Sequence, residues 1–580
     1  MSEQNIQQIN NLEFPRDKII ECAYIKFHSL PSNTKEVKEV EEVEEVEEVK
    51  EVKEAPYKFQ LFDDPNIKFG TLTIEMGNTP MLTQPQVIDN DIDISGSMSN
   101  YCLDGQTKIH HAKHVLKNIA TFLASTPNTN ISLAVHGFDN VVDEIFSDTK
   151  LTEDNVDKLR TIIDKKLQPR NGTNIYNALE KSKQRIESRH QQNPRQKQIK
   201  MLLTDGLANE GITDYNKMAE QLSEHASTIL IGFGSDHDAV GLQKLAAAQP
   251  GGAYYYVDVI EKAGLVFGEI IHGIIYEALT DVTIEVENGE IYDFVTNKWS
   301  SKLQIHSIVS EAKKTYHLRS TTPELLSASI TALSAVHEDE IKYVFEDDLT
   351  AMPDLMTLVK EETEEAVEEY SQDYTDLTRY MHRQRTQELL FDIHQISIGG
   401  EGISEGISEI GGQKEIYENI KKFATYLQNY MEENKLQEDD FYKTLYADIY
   451  ITKQTFGSAR AAMYSGARQV SQGRERSYNI TQIDASDQPR QRPRLHRHNH
   501  LRRQQAFTFE DDEEDDAPPP ALMMPSLSRT NTSARQASLM RQCSAGTTCR
   551  DLDEYIVVPN TTPPQLLRNN YINETLPEAK

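Results

Sequence analysis

Between Val87 and Leu279, short apolar runs alternate with segments of helix length, and nothing else in the chain limits its fold as strongly. The strand candidates are Val87–Ile94, Ile131–Phe138, Gln198–Thr204, Thr228–Phe233 and Ala253–Val257. The helix candidates between them are Leu103–Ala124, Asn174–Glu187, Tyr215–His225, Ala239–Ala247 and Ile260–Leu279. Alternation of this kind calls for an α/β fold, a doubly wound and mostly parallel sheet with helices on both faces. A turn at Asp139-Asn140 and a further run, Val141–Phe146, add a hairpin partner. One strand breaks the pattern: VIDNDIDIS places Asp89, Asn90 and Asp91 where a buried parallel strand is normally apolar. Unpaired buried carboxylates are costly, so the expectation is a short strand or an exposed sheet edge there.

The flanks read differently. Residues 57–86 and 280–345 alternate apolar and polar positions without intervening helices, as β-strands do. The two pieces are expected to pair into one β-sandwich from which the α/β unit, residues 87–279, is inserted. Residues 353–470 turn helical, divided by a glycine-rich break over Gly399–Gly412. Residues 471–580 are polar and rich in Arg, Pro and Ser, which reads as disordered tail. Ahead of the strands, residues 1–34 hold a short strand around Ile19–Phe27, and residues 35–56 repeat valine every third position among glutamates. A period of three drifts around a 3.6-residue helix, so this segment reads as an acidic linker or as a docking segment for a basic partner.

Composition narrows the partners. Asp and Glu number 92 against 60 Lys and Arg, a formal net charge of −32. Such a surface argues against nucleic acid or an anionic membrane as a general partner. The exception is the tail, where Arg490, Arg492, Arg494, Arg497, Arg502 and Arg503 cluster with three histidines. That cluster could meet nucleic acid or an acidic protein, act in nuclear import, or be neutralised by the acidic run Glu510–Asp516. Arg-x-x-Ser/Thr spacings recur at Thr532, Ser538 and Ser544 as candidate phosphorylation positions. Cys22, Cys102, Cys543 and Cys549 make no disulfide framework, which favours a reducing compartment. The N-terminus has no signal pattern, and no apolar run approaches the ~20 residues that span a bilayer. An intracellular protein is expected, cytoplasmic or alternatively nuclear.

Three separated pieces carry chemistry. IDISGSMSN places Asp93, Ser95 and Ser97 at the end of the first strand of the α/β unit. RNGTNIYNAL places Thr173 just ahead of a helix, and LLTDGLANEG places Asp205 at another strand end. In a doubly wound sheet these strand ends share one edge, where such folds put their ligand sites. Three hydroxyls and two carboxylates offer oxygen only, which suits Mg²⁺ first, then Mn²⁺ or Ca²⁺, rather than zinc. So few carboxylates leave the metal's charge unsaturated, and an acidic group from a partner protein would complete it. Asp236, His237 and Asp238 stand at a further strand end, either as a helix cap or as part of the site's rim. His110, His111 and His114 include an i,i+4 pair, read as a chelating pair or, more simply, as exposed positions on a helix.

DISGSM, GTN and TDG, in this order, resemble the metal-ion-dependent adhesion site of the von Willebrand factor A domain. The resemblance covers the α/β unit. It implies that Ser95, Ser97 and Thr173 ligate the metal directly or in alternate states, while Asp93 and Asp205 act largely through water. The flanking strands and the helical segment ending GSARAAMYSGARQVSQGRERSY resemble intracellular A-domain proteins with a Vwaint-type region. The Hint and zinc modules of many such relatives have no counterpart in the sequence, and no HExxH, GxSxG, Walker or GxGxxG motif is present. The expectation is therefore a non-enzymatic scaffold or adaptor that binds a partner carboxylate through the metal. A structural protein of a large particle, and a regulatory adaptor for ubiquitin or processing machinery, stand as alternatives, and the oligomeric state is left open.

Overall fold

The computed structural model describes residues 15, 18–29, 59–102, 105–126, 130–234, 237–257, 263–337, 339–345, 375–397, 409–457, 461–473 and 533–544. The acidic valine repeat, the arginine cluster, the Glu510–Asp516 run, Asp236, Thr532 and Cys549 lie outside the described residues.

β1 (Ile20–Phe27) and β2 (Lys68–Met76) precede the α/β unit. Its first half is β3 (Gln86–Asp93), α1 (Lys108–Ser125), β4 (Ile131–Phe138), β5 (Val142–Lys150), α2 (Val156–Lys166) and α3 (Ile175–Gln192). Its second half is β6 (Lys197–Thr204), α4 (Tyr215–Ala219), β7 (Ser227–Phe233), α5 (Ala239–Ala247), β8 (Ala253–Val257) and α6 (Ala263–Ile275). The sheet order is β5-β4-β3-β6-β7-β8, parallel throughout except for the antiparallel edge strand β5. This is the expected doubly wound architecture, and its strand order reverses beside β3, the strand that ends at Asp93.

β3 corrects one expectation. It is neither short nor at an edge: it lies between β4 and β6, and every residue in it is buried. Asp89 and Asp91, two apart and so on one face of the sheet, are compensated from α3, β6 and β4. Arg185 and Arg189, one turn apart on α3, reach across: Arg185 donates to Asp89 at 3.0 and 3.1 Å and to Asp91 at 2.8 Å, and Arg189 donates to Asp89 at 2.7 Å. Lys200 of β6 pairs with Asp91, and His136 of β4 sits 3.3 Å from Asp89. Burial alone would raise the Asp89 carboxyl, but Lys200, His136 and Arg185 hold it well below the usual range. The polar strand is affordable because its charges arrive paired.

Helix boundaries also shift. The expected helix Ile260–Leu279 ends at Ile275, and Glu277 already opens β9 (Glu277–Glu287). α4 stops at Ala219 instead of running to His225, and α2, which buries Val156, Leu159 and Ile163, was not anticipated. After β9 come β10 (Glu290–Asp293), β11 (Lys298–Ser300), β12 (Lys302–Val309), β13 (Lys313–Ser320), β14 (Ser327–Ser334) and β15 (Asp339–Phe345). They form two sheets, β1-β2-β13-β10-β11 and β12-β9-β14-β15, around a core that includes Leu72, Ile74, Val282, Ile284, Leu318 and Ile330. β2 pairs with β13 from Lys68 to Glu75, so the two strand-rich flanks do join, with the α/β unit inserted between them.

The helical region comprises α7 (Thr378–Ser397), α8 (Glu409–Glu433), α9 (Asp440–Thr455) and α10 (Ala461–Gly473). Gly411 and Gly412, expected in a break, lie inside α8. The AAMYSGARQVSQG stretch forms α10, whose Arg468 is fully buried 3.5 Å from the equally buried Asp448 of α9. A last helix, α11 (Ala534–Cys543), stands within the segment expected to be disordered and packs on α6 and α1. Among the described residues no helix is long and apolar enough to cross a membrane.

Candidate metal centre

The five residues singled out in the sequence are held at one edge of the sheet by backbone and side-chain bonds. Asp93 ends β3 and is fully buried. Its Oδ1 accepts from the Ser95 N–H at 2.7 Å and its Oδ2 from the Thr204 hydroxyl at 2.6 Å, which ties the ends of β3 and β6 together. Ser95 leads into a single 3₁₀ turn, Gly96–Ser99, that turns Ser97 back toward it: the two hydroxyls stand 3.0 Å apart. Ser97 Oγ donates to Asp205 Oδ1 at 2.7 Å.

Thr173 arrives on a separate loop. The Gly96 N–H donates to the Asn171 carbonyl at 3.0 Å, and the Arg170 N–H to the Ile94 carbonyl at 2.7 Å, docking that loop on the first. Asn209 clamps the other side: its side chain accepts from the Thr173 N–H at 2.8 Å, and its own N–H donates to the Thr173 carbonyl at 3.1 Å. Asn174 then caps α3 through Asn177 N–H. Thr173 Oγ1 and Ser97 Oγ lie on the same side of Gly206: a Cβ there would stand 3.4 and 3.7 Å from them, in ordinary contact with both.

Lys108, Asp139, Thr204 and Asn209 are site-building residues that the sequence did not reveal. Asp139 accepts from Arg170 Nε at 2.8 Å and Asn171 Nδ2 at 2.7 Å, so the presumed hairpin-turn residue anchors the Thr173 loop. Lys108, at the first turn of α1, donates to Asp205 Oδ2 at 2.7 Å. A cation at a helix N-terminus opposes the helix dipole, and that mismatch was the available signal that something else must hold it.

The donor set fits a hard divalent cation. All the converging atoms are oxygens, and the 3.0 Å between Ser95 Oγ and Ser97 Oγ matches neighbouring ligands of an octahedral ion bound at about 2.1 Å. Burial pushes the Asp93 carboxyl up to about 6, against the hydrogen bonds from Thr204 and Ser95, with Asp205 adding to the rise. A desolvated carboxylate beside a second one is a place where added positive charge is favourable.

A second group has metal-like geometry. Asp89, Asp91 and His136 bring their ligand atoms within 4.8 Å of one another. Arg185, Arg189 and Lys200 already supply that cluster with three positive charges, so a divalent cation there would meet repulsion. The other sequence candidates divide. Asp238 caps α5 by accepting from the Gly241 N–H at 2.9 Å, and His237 is buried between the Gly234 carbonyl and the Tyr254 hydroxyl. His111 is buried rather than exposed, which corrects the reading of that trio as surface positions, and His114 bonds Asn118.

Residues 92–267 match the family model of the von Willebrand factor type A domain. The chain carries a von Willebrand factor type A domain. Among solved structures, it is similar to a von Willebrand factor type A protein from Catenulispora acidiphila, at 15% identity over 58% of this chain and 78% of that one, with a TM-score of 0.37. The ArnB paralog VWA2 from Sulfolobus acidocaldarius is similar at 12% identity over 70% of this chain and 94% of that one, TM-score 0.40. Proximal thread matrix protein 1 from the mussel byssus, with a zinc-occupied MIDAS motif, is similar at 20% identity over 33% and 48%, TM-score 0.28. No curated protein matches the sequence.

Proposed function

We propose that this A domain is a metal-dependent, non-enzymatic protein-interaction module of a scaffold or adaptor. One observation carries the reading: Asp93, Ser95, Ser97, Thr173 and Asp205, drawn from three separate loops, converge on one sheet edge with oxygen donors only. Ser95, Ser97 and Thr173 would hold Mg²⁺, with Asp93 and Asp205 supporting it from behind. The bound ion would supply a Lewis-acidic position for a carboxylate of a partner protein. The chain's own part is to keep the three hydroxyls together and the two carboxylates desolvated. The sandwich and helical region fix the orientation in which that edge is presented.

The test is capture of partners from the native source on immobilised full chain, with Mg²⁺ or with chelator, using Asp93→Ala as the control. Proteins retained only with Mg²⁺ and lost with Asp93→Ala support the reading. Retention that ignores both chelator and substitution contradicts it.

A further inference from the structure

Helix α6, AGLVFGEIIHGII, is apolar on nearly all sides. A helix of that kind needs cover on every face, and the sheet can cover only the inner one. The outer face is covered by α11, which comes from far along the chain. Ala537, Leu539, Met540 and Cys543 of α11 are all buried in the core of the A domain.

The seat is shaped for backbone, not just for apolar bulk. Gly264 and Gly268 lie one turn apart on α6. A Cβ on Gly268 would stand 2.6 Å from Met540 Cα, and one on Gly264 would stand 2.7 Å from Ser544 Cα. Polar bonds fix both ends of the segment. Asn118 of α1 donates to the Cys543 carbonyl at 2.9 Å. Arg535 donates to the Thr79 carbonyl at 2.8 Å, lies 3.6 Å from Glu311, and places its guanidinium 4.8 Å from the Tyr276 ring centre. The outward face of α11 carries the exposed Ser538, Arg541 and Gln542.

We propose that the groove between α1 and α6 is a docking site for the chain's own Ser533–Ser544 segment, and that the segment is a releasable strap. A 10-residue helix is too short to hold its shape alone in water. Its order therefore depends on the seat, and leaving the seat melts it. Gly473 ends α10 and Ser533 caps α11, so docking holds both of these positions on the folded core. The proposal does not rest on the metal reading.

Amide hydrogen exchange on the full chain tests it, with β3 and β6 as internal standards. In the wild type, residues 533–544 exchange at least tenfold faster than β3 and at least tenfold slower than an unstructured peptide. The double variant Gly264→Ala/Gly268→Ala blocks the seat, while alanine is the better helix former in α6. It brings residues 533–544 to the unstructured rate and leaves β3 and β6 protected. If that variant also loses β3, Arg535→Ala decides. Faster exchange confined to residues 533–544 supports the strap, and unchanged exchange overturns it. A wild-type segment as slow as β3, or already at the unstructured rate, overturns it too. So does a chain whose mass doubles with concentration while the segment gains protection, since the strap would then be passing between copies.

Discussion

The ammonium of Lys108 donates to Asp205 Oδ2 at 2.7 Å, and the other oxygen of the same carboxylate accepts from Ser97 at 2.7 Å. The first turn of α1 thus supplies a fixed positive charge behind the hydroxyl cluster. Asp205 is fully buried and Lys108 nearly so, so the pair is shielded from solvent and from salt.

Lys108→Met leaves the Asp205 carboxylate without its cation. Breaking a buried pair in this way costs about 3 kcal/mol, so chelator-treated variant melts at lower temperature than wild type. The same change removes a charge that repels an incoming ion. Divalent-cation affinity rises about tenfold, equivalent to about 1.4 kcal/mol, and saturating Mg²⁺ restores most of the lost stability. Thermal melts with and without Mg²⁺ check both parts.

The Asp89–Asp91 cluster behaves in the opposite way. Lys200→Met leaves two buried carboxylates short of a cation and destabilises the domain by about 3–5 kcal/mol, read by urea unfolding. No divalent ion rescues it, because Arg185 and Arg189 still occupy the cluster. Combining it with Asp91→Leu recovers much of the loss.

Acid weakens the joint between sandwich and helices. His317 of β13 is buried against Gln384 of α7, its ring nitrogen 2.7 Å from Oε1. Burial, then the Arg383 charge, push its imidazole down to about 3. The unfolded chain takes up a proton near the ordinary value of about 6.5. Stability from this site is thus complete above pH 6.5 and is lost as pH falls toward 3, by about 1.4 kcal/mol per unit. His317→Gln flattens that part of the pH–stability curve, measured by urea unfolding at a series of pH values.

How far the sequence could be read follows from how local each signal is. Asp93, Ser95 and Ser97 stand in one short motif, and strand–helix alternation puts Thr173 and Asp205 on the same edge, so the meeting of these five residues at one edge was legible. Lys108–Asp205 joins a helix start to a distant strand end, and no periodicity reports such a pair. Asp89 and Asp91 read as a defect because their partners lie on α3, β6 and β4. α11 hid in a polar tail because its apolar residues, Ala537, Leu539, Met540 and Cys543, make sense only against the glycine seat on α6.

Calorimetric titration of Mg²⁺, then Mn²⁺, into chelator-stripped full chain tests the metal centre most directly, with Asp93→Ala as the paired control. Asp93 braces Ser95 and Thr204 from a buried position, so thermal melts must first show that the variant folds. The account predicts a single saturable site in the wild type that is absent in folded Asp93→Ala. No binding to the wild type, or equal binding to both proteins, would contradict it.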